Sequence, residues 1–130
     1  MAGEKDLDKL LQNMKPVHNT GNYVFCSVVC LTKEHIDEAV FIFKEAEGNT
    51  IVLRKETADL LDLHYSFIAS WITLDVHSSL DAVGLTALFS KALADKGIGC
   101  NVVAANYHDH LFVNQNDTVR AMEILKNLSV

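Results

Sequence analysis

A chain of 130 residues holds one ordinary domain or two very small ones sharing a core, which excludes any larger assembly of domains. Hydrophobic residues make up 49% and charged residues 22%, so the chain can bury a core and is too apolar to be disordered. The net charge of -6 opposes phosphate backbones and anionic lipid surfaces, and the 11 Lys and Arg residues are scattered without a basic run, so neither nucleic acid nor a membrane is an expected partner.

Cys26, Cys30 and Cys100 sit inside apolar runs, where a thiol behaves as a small hydrophobe. Their odd number suits no disulfide framework and points to a reducing compartment. The first residues lead into an amphipathic segment with interleaved charges, no signal-peptide core is visible, and no apolar run approaches membrane-spanning length. A cytoplasmic location is expected.

Leu7, Leu10, Leu11 and Met14 recur at helical spacing before Pro16, which predicts a short leading helix. Gly21-Asn22 opens a strand from Tyr23 to Leu31, and a second apolar run covers Ala39 to Phe43 after the polar connector Thr32 to Glu38. Glu47-Gly48-Asn49 is turn chemistry, so Val40 to Phe43 and Ile51 to Leu53 are expected as antiparallel neighbours in a hairpin. Thr57 to Leu63 makes a short helix, and the β-branched and aromatic run Phe67 to Val76 is expected as the longest strand.

Ser78 stands three residues before Asp81, the spacing of a capping box, and a helix is predicted from Leu80 to Lys96 with Gly97 as its C-terminal cap. Cys100 to Tyr107 and Leu111 to Val113 then read as strands around a turn at His108-Asp109. Asn116 or Asp117 caps a last helix that turns Ala121, Ile124, Leu125 and Leu128 inward.

This order contains a degenerate repeat, residues 1–63 and 64–130, each a split βαβ unit of the ferredoxin-like type, the first with a connector where the second has a full helix. The fold class is α+β, with tandem βαββα units, antiparallel sheets and helices on one face. Val24, Cys26 and Val28 are apolar on one face of their strand while Tyr23, Phe25 and Val29 are apolar on the other. Phe67 and Trp71 likewise point away from Ile68, Ile72, Leu74 and Val76. The second sheet face therefore expects a cover, from a homodimer or from pairing of the two halves.

The second half, Ser79-Leu80-Asp81-Ala82-Val83-Gly84-Leu85 through Gly97-Ile98-Gly99-Cys100-Asn101-Val102, resembles the ACT domain. Val76 to Thr86, Tyr107-His108-Asp109-His110-Leu111-Phe112-Val113 and Gly21 to Cys26 resemble a family of uncharacterised bacterial tandem ACT-like proteins, over nearly the whole chain. The resemblance implies two ACT-like units and assembly through sheet or helix pairing; it does not imply a reaction. It also implies an effector site, typically for an amino acid, at the loop between first strand and first helix, which here is His77, Ser78, Ser79, Leu80, Asp81, Val83 and Gly84. Asn101 and Val102 match the strand start that faces such a loop. The proline and Asp-Arg-Pro-Gly-like sequence of the more familiar loop are absent, so the identity of the effector does not carry over.

The start of a long helix presents free N–H groups and the positive end of its dipole, with the Ser78 and Ser79 hydroxyls adjacent, and suits a carboxylate. Alternatively Ser78 only caps and Gly84 only permits close packing. Asn101 could offer a donor and an acceptor to an amino group, or be a simple strand-start residue. His108, Asp109 and His110 form a possible secondary site; two imidazoles at a turn tip are too few for a metal centre, and local hydrogen bonding is the plainer reading. No nucleophile elbow, phosphate loop, dinucleotide fingerprint or zinc-hydrolase motif occurs, and a Cys100–His108 pair would need a reactive thiol in an apolar strand. The expectation is a stand-alone regulatory module without cofactor or catalysis that binds a small effector, an amino acid, and acts on a separate protein; the alternative is an interaction module with no small ligand.

Overall fold

The structure is a computed structural model and describes residues 3, 6–76 and 79–129. Its elements are α1 (Leu7–Asn13), β1 (Lys15–Val28), α2 (Lys33–Glu38), β2 (Phe41–Lys44), β3 (Asn49–Arg54), α3 (Lys55–Leu60), β4 (Ile68–Asp75), α4 (Leu85–Ala94), β5 (Asn101–Ala104), β6 (Asp109–Asn114) and α5 (Thr118–Asn127). After α1, the order β-α-β-β-α occurs twice. The repeat is thus more regular than the sequence suggests, because the connector expected before β2 contains the helix α2. Thr32 caps it by accepting from the His35 N–H at 3.1 Å, while His35 Nδ1 accepts from the Thr32 N–H at 3.2 Å. Six residues are too few to show helical periodicity.

The chain divides into two compact units, one of residues 1–20 with 70–130, the other of residues 21–69. In the second, β2-β3-β1 are neighbours in antiparallel order, with Phe41↔Val52 and Val24↔Leu53 in register. Val24, Cys26, Ile51, Leu53 and Ala58 form its core. Tyr23 and Val52 are buried on the opposite face, where Phe25 meets Phe41 edge-on at 6.3 Å and Phe67 at 6.3 Å. That face is apolar as expected, although Val29 is 83% exposed beyond the end of β1 and Cys30 is exposed too, so neither belongs to the apolar interior.

In the other unit the order is β1-β4-β6-β5. Ile72 and Leu74 of β4 and Leu111 and Val113 of β6 share one face with Leu10, Leu85, Phe89, Leu93, Ala121 and Leu125 from α1, α4 and α5. At roughly 25 cal/mol per Å² of apolar area, these fully buried side chains supply the main stabilisation of the unit. Trp71, Thr73, His110 and Phe112 alternate onto the other face.

Several element boundaries differ from the sequence reading. β1 begins at Lys15, not at Tyr23, and with 14 residues it, not β4, is the longest strand. The segment Lys15–Thr20 is mostly polar and gives no strand signal in the sequence, yet the Asn19 amide donates to the Trp71 carbonyl at 3.3 Å and to Thr73 Oγ1 at 2.9 Å. α4 starts at Leu85, not Leu80, because Gly84 has φ +100, which no helix can run through. β5 stops at Ala104, and the turn is closed by the Ala105 N–H donating to the His108 carbonyl at 3.0 Å, so Asp109 and His110 are strand residues and not a hairpin tip. α4 ends at Ala94, short of the expected Lys96, while Gly97 closes the turn after it as expected: it has φ +76, its N–H donates to Ala94 O at 2.9 Å, and the Ile98 N–H donates to Leu93 O at 3.0 Å, with Leu93 and Ile98 both buried.

Candidate functional site

The segment between β4 and α4 carries most of the residues singled out in the sequence. His77 and Ser78 lie outside the described residues. Ser79 shapes the turn after it: its Oγ accepts from the Asp81 N–H at 3.1 Å and its carbonyl accepts from the Ala82 N–H at 2.9 Å. This tight turn leaves Leu80 and Val83 with 68% and 82% of their surface exposed. Gly84 then occupies the N-cap position of α4 with φ +100 and ψ -21, and its carbonyl accepts from Leu88 N–H at 3.0 Å.

Among the described residues, no side chain caps this helix. The N–H groups of its first turn, from Leu85 onward, therefore lack a side-chain acceptor and gather the positive end of the helix dipole. Leu85, Phe89 and Leu93 recur at i, i+4 and i+8 and are all buried, which holds the start of α4 in place against the sheet.

A small pocket of about 70 Å³ opens beside that start, lined by Ser79, Leu80, Ala82, Leu85, Thr86, Ala104 and Asp109. The hairpin register brings the last two together, since Ala104 pairs with Asp109 on the rung before the turn. Strand alternation puts Asp109 on the same face as Leu111 and Val113, toward the helices. Asp109 is only 9% exposed, and its carboxylate makes no hydrogen bond or ion pair among the described residues. Burial raises its pKa above the ordinary carboxylate value.

Asn101 and Val102 occupy the other end of β5. The Asn101 amide donates to the carbonyl of Phe112, its register partner, at 3.2 Å, and Val102 packs on the core; neither lines the pocket. Of the residues the sequence marks, the pocket thus brings together Ser79, Leu80 and Asp109, with Gly84 at the adjoining cap. Ala82, Leu85, Thr86 and Ala104 were not singled out in the sequence. The alternation Asp109-Leu111-Val113 was the one signal that an acidic side chain faces inward.

His108 and His110 point to the other face. His110 Nδ1 accepts from Trp71 Nε1–H at 3.0 Å and lies 3.1 Å from Thr73 Oγ1, and the two imidazoles are 6.3 Å apart in an edge-on arrangement. Indole is a donor only, so Nδ1 of His110 is unprotonated. Burial, and then the neighbouring His108, lower the His110 pKa. Nδ1 of His108 is buried without a hydrogen-bond partner. Among the described residues, no three His, Cys, Asp or Glu side chains converge as a metal-ligand set. Burial pushes the Cys100 thiol up to about 11, against a weaker opposing hydrogen bond from Ser90, so it is protonated and unreactive at neutral pH.

Two family models, each described as ACT domain, match residues 2–70 and 66–127. No curated protein matches the chain. Among solved structures, a protein of unknown function from Vibrio cholerae, described as a possible transport protein, is 42% identical, with 97% of this chain and 98% of that chain covered and a TM-score of 0.86. A protein from Agrobacterium tumefaciens is 21% identical over 89% of each chain, with a TM-score of 0.69. The ligand-free regulatory subunit of aspartate kinase from Thermus thermophilus shares the fold at 6% identity, covering 91% of this chain and 97% of that one with a TM-score of 0.65.

Proposed function

Because this chain belongs to the ACT domain family, we propose that it is a stand-alone regulatory module that binds a small effector, an amino acid, beside the start of α4 and has no catalytic activity of its own. The observation that carries this reading is the uncapped first turn of α4 opening onto a pocket. Free N–H groups and the helix dipole suit a carboxylate, and Leu80 at the rim offers apolar contact to a side chain. The two family-model matches support one ACT unit in each half of the chain, residues 1–63 and 64–130, and a cytoplasmic homodimer formed through sheet or helix pairing is the assembly proposed.

Regulation then follows from differential affinity. An effector seated between the loop before α4 and the β5–β6 hairpin favours the arrangement in which both are in place, and shifts the population only by as much as it prefers that arrangement. The exposed Leu80 and Val83 favour a second reading, a protein-interaction surface with no small ligand.

A thermal-shift screen of the purified chain against the twenty amino acids, common nucleotides and divalent metals tests both. A ligand that binds only the native state raises the melting temperature by mass action, so a saturable shift with an amino acid is the expected outcome. No shift with any amino acid would replace the sensor reading with the interaction reading.

A further inference from the structure

Asp109 is the one charged side chain in the buried set of the described residues; the other buried polar group, Ser70, is hydrogen-bonded to Thr118. A carboxylate partly withdrawn from water without a partner costs stability, as the raised pKa of Asp109 reflects. The cations with assigned partners, Lys33, Arg54, Lys55, Lys91 and Arg120, are engaged with Asp37, Glu56, Asp59, Asp95 and Asp117 on the surface, and among the described residues no cation lines the pocket. Among the described residues nothing at the pocket supplies a countercharge for Asp109, which leaves that part to a bound ligand.

The same pocket is bounded by the uncapped start of α4, which favours negative charge. One wall thus accepts a cation and the other an anion. An effector bearing only negative charge, such as a 2-keto acid or a phosphate, would set like charge against Asp109. The pocket, of about 70 Å³, is small and suits a charged headgroup, the rest of the effector leaving past Leu80 to solvent.

Building on the effector reading above, we propose that Asp109 is the ion-pairing residue that receives the ammonium group of a zwitterionic effector, restricting the pocket to amino acids over their keto and des-amino counterparts. Asp109 is retained at a cost in stability that the bound ammonium group offsets.

The test uses the full chain with the L-amino acids, and for each one that binds, its 2-keto acid and its des-amino acid. Melting temperature without ligand and calorimetric affinity are measured for the wild type and Asp109→Asn. The expected result at pH 7 is that Asp109→Asn melts higher than the wild type when empty, yet binds the amino acid roughly tenfold to a hundredfold more weakly. The wild type should reject the keto and des-amino acids, a comparison that needs no variant to fold. Equal affinity of wild type and variant for the amino acid would overturn the role of Asp109 while leaving the effector reading intact. Equal binding of the des-amino acid would do the same, and a variant that melts lower when empty would mark Asp109 as structural. Absence of binding by every amino acid would sink both.

Discussion

Gly84→Ala separates the observed start of α4 from the start that periodicity suggests, because the two give opposite signs. In a helix running from residue 80 to 96, Gly84 would be interior, and alanine would stabilise the protein by about 1 kcal/mol. In the structure Gly84 stands at φ +100 as the N-cap, where an alanine costs about 1–2 kcal/mol of backbone strain. The added Cβ would lie 3.4 Å from Leu7 Cδ2, the end of a flexible side chain, so the backbone dominates the loss. For a domain of this size that corresponds to a fall in Tm of roughly 3–10 °C. Thermal melts by circular dichroism, with urea titrations to confirm an unchanged m-value, measure it. Gly97→Ala is the matched control: φ is +76 and a Cβ there meets nothing within 4 Å, so it should lose about 1 kcal/mol through the backbone alone. A Gly84→Ala protein that melts higher than the wild type would refute the assigned start of the helix.

His110 makes stability depend on pH with a definite sign. Its folded-state pKa lies below the unfolded value, so the unfolded chain binds the proton more readily; stability is full above about 6.5 and declines as pH falls through that value toward the lowered one. His110→Gln should flatten urea midpoints measured between pH 7 and 5, and an unaltered slope would remove His110 as the cause. Thiol titration gives a further check: Cys30 is exposed, whereas burial raises the Cys26 and Cys100 pKa values, so one thiol should react in the native protein and all three after denaturation. Rapid native reaction of Cys100 would contradict its raised pKa.

Much of the architecture is legible in single residues. Glu47-Gly48-Asn49 marks the β2–β3 hairpin, Gly97 marks the end of α4, and the inward set Ala121 and Leu125 marks the packed face of α5. Each is a local signal, a turn backbone or a 3.6-residue period, that needs no knowledge of the elements across the fold. The start of β1 was not legible, since the polar run Lys15–Thr20 is held by partners such as Trp71 and Thr73, more than fifty residues away in sequence.

The candidate site divides along the same line. That a serine- and glycine-bearing loop precedes a helix near residues 79–84 is readable from residue type and helical periodicity, together with family resemblance. Which end of the β5–β6 hairpin meets that loop depends on register. The pairing Ala104↔Asp109 and the left-handed Gly84 bring a buried carboxylate to the pocket and leave Asn101 at the far end. Sequence by itself determined the repeated elements, their apolar faces and their turns, because these depend on neighbours along the chain. Only the tertiary structure decided which side chains share the pocket and which charge goes unpaired there, because strand register and burial are settled by contacts between residues distant in sequence.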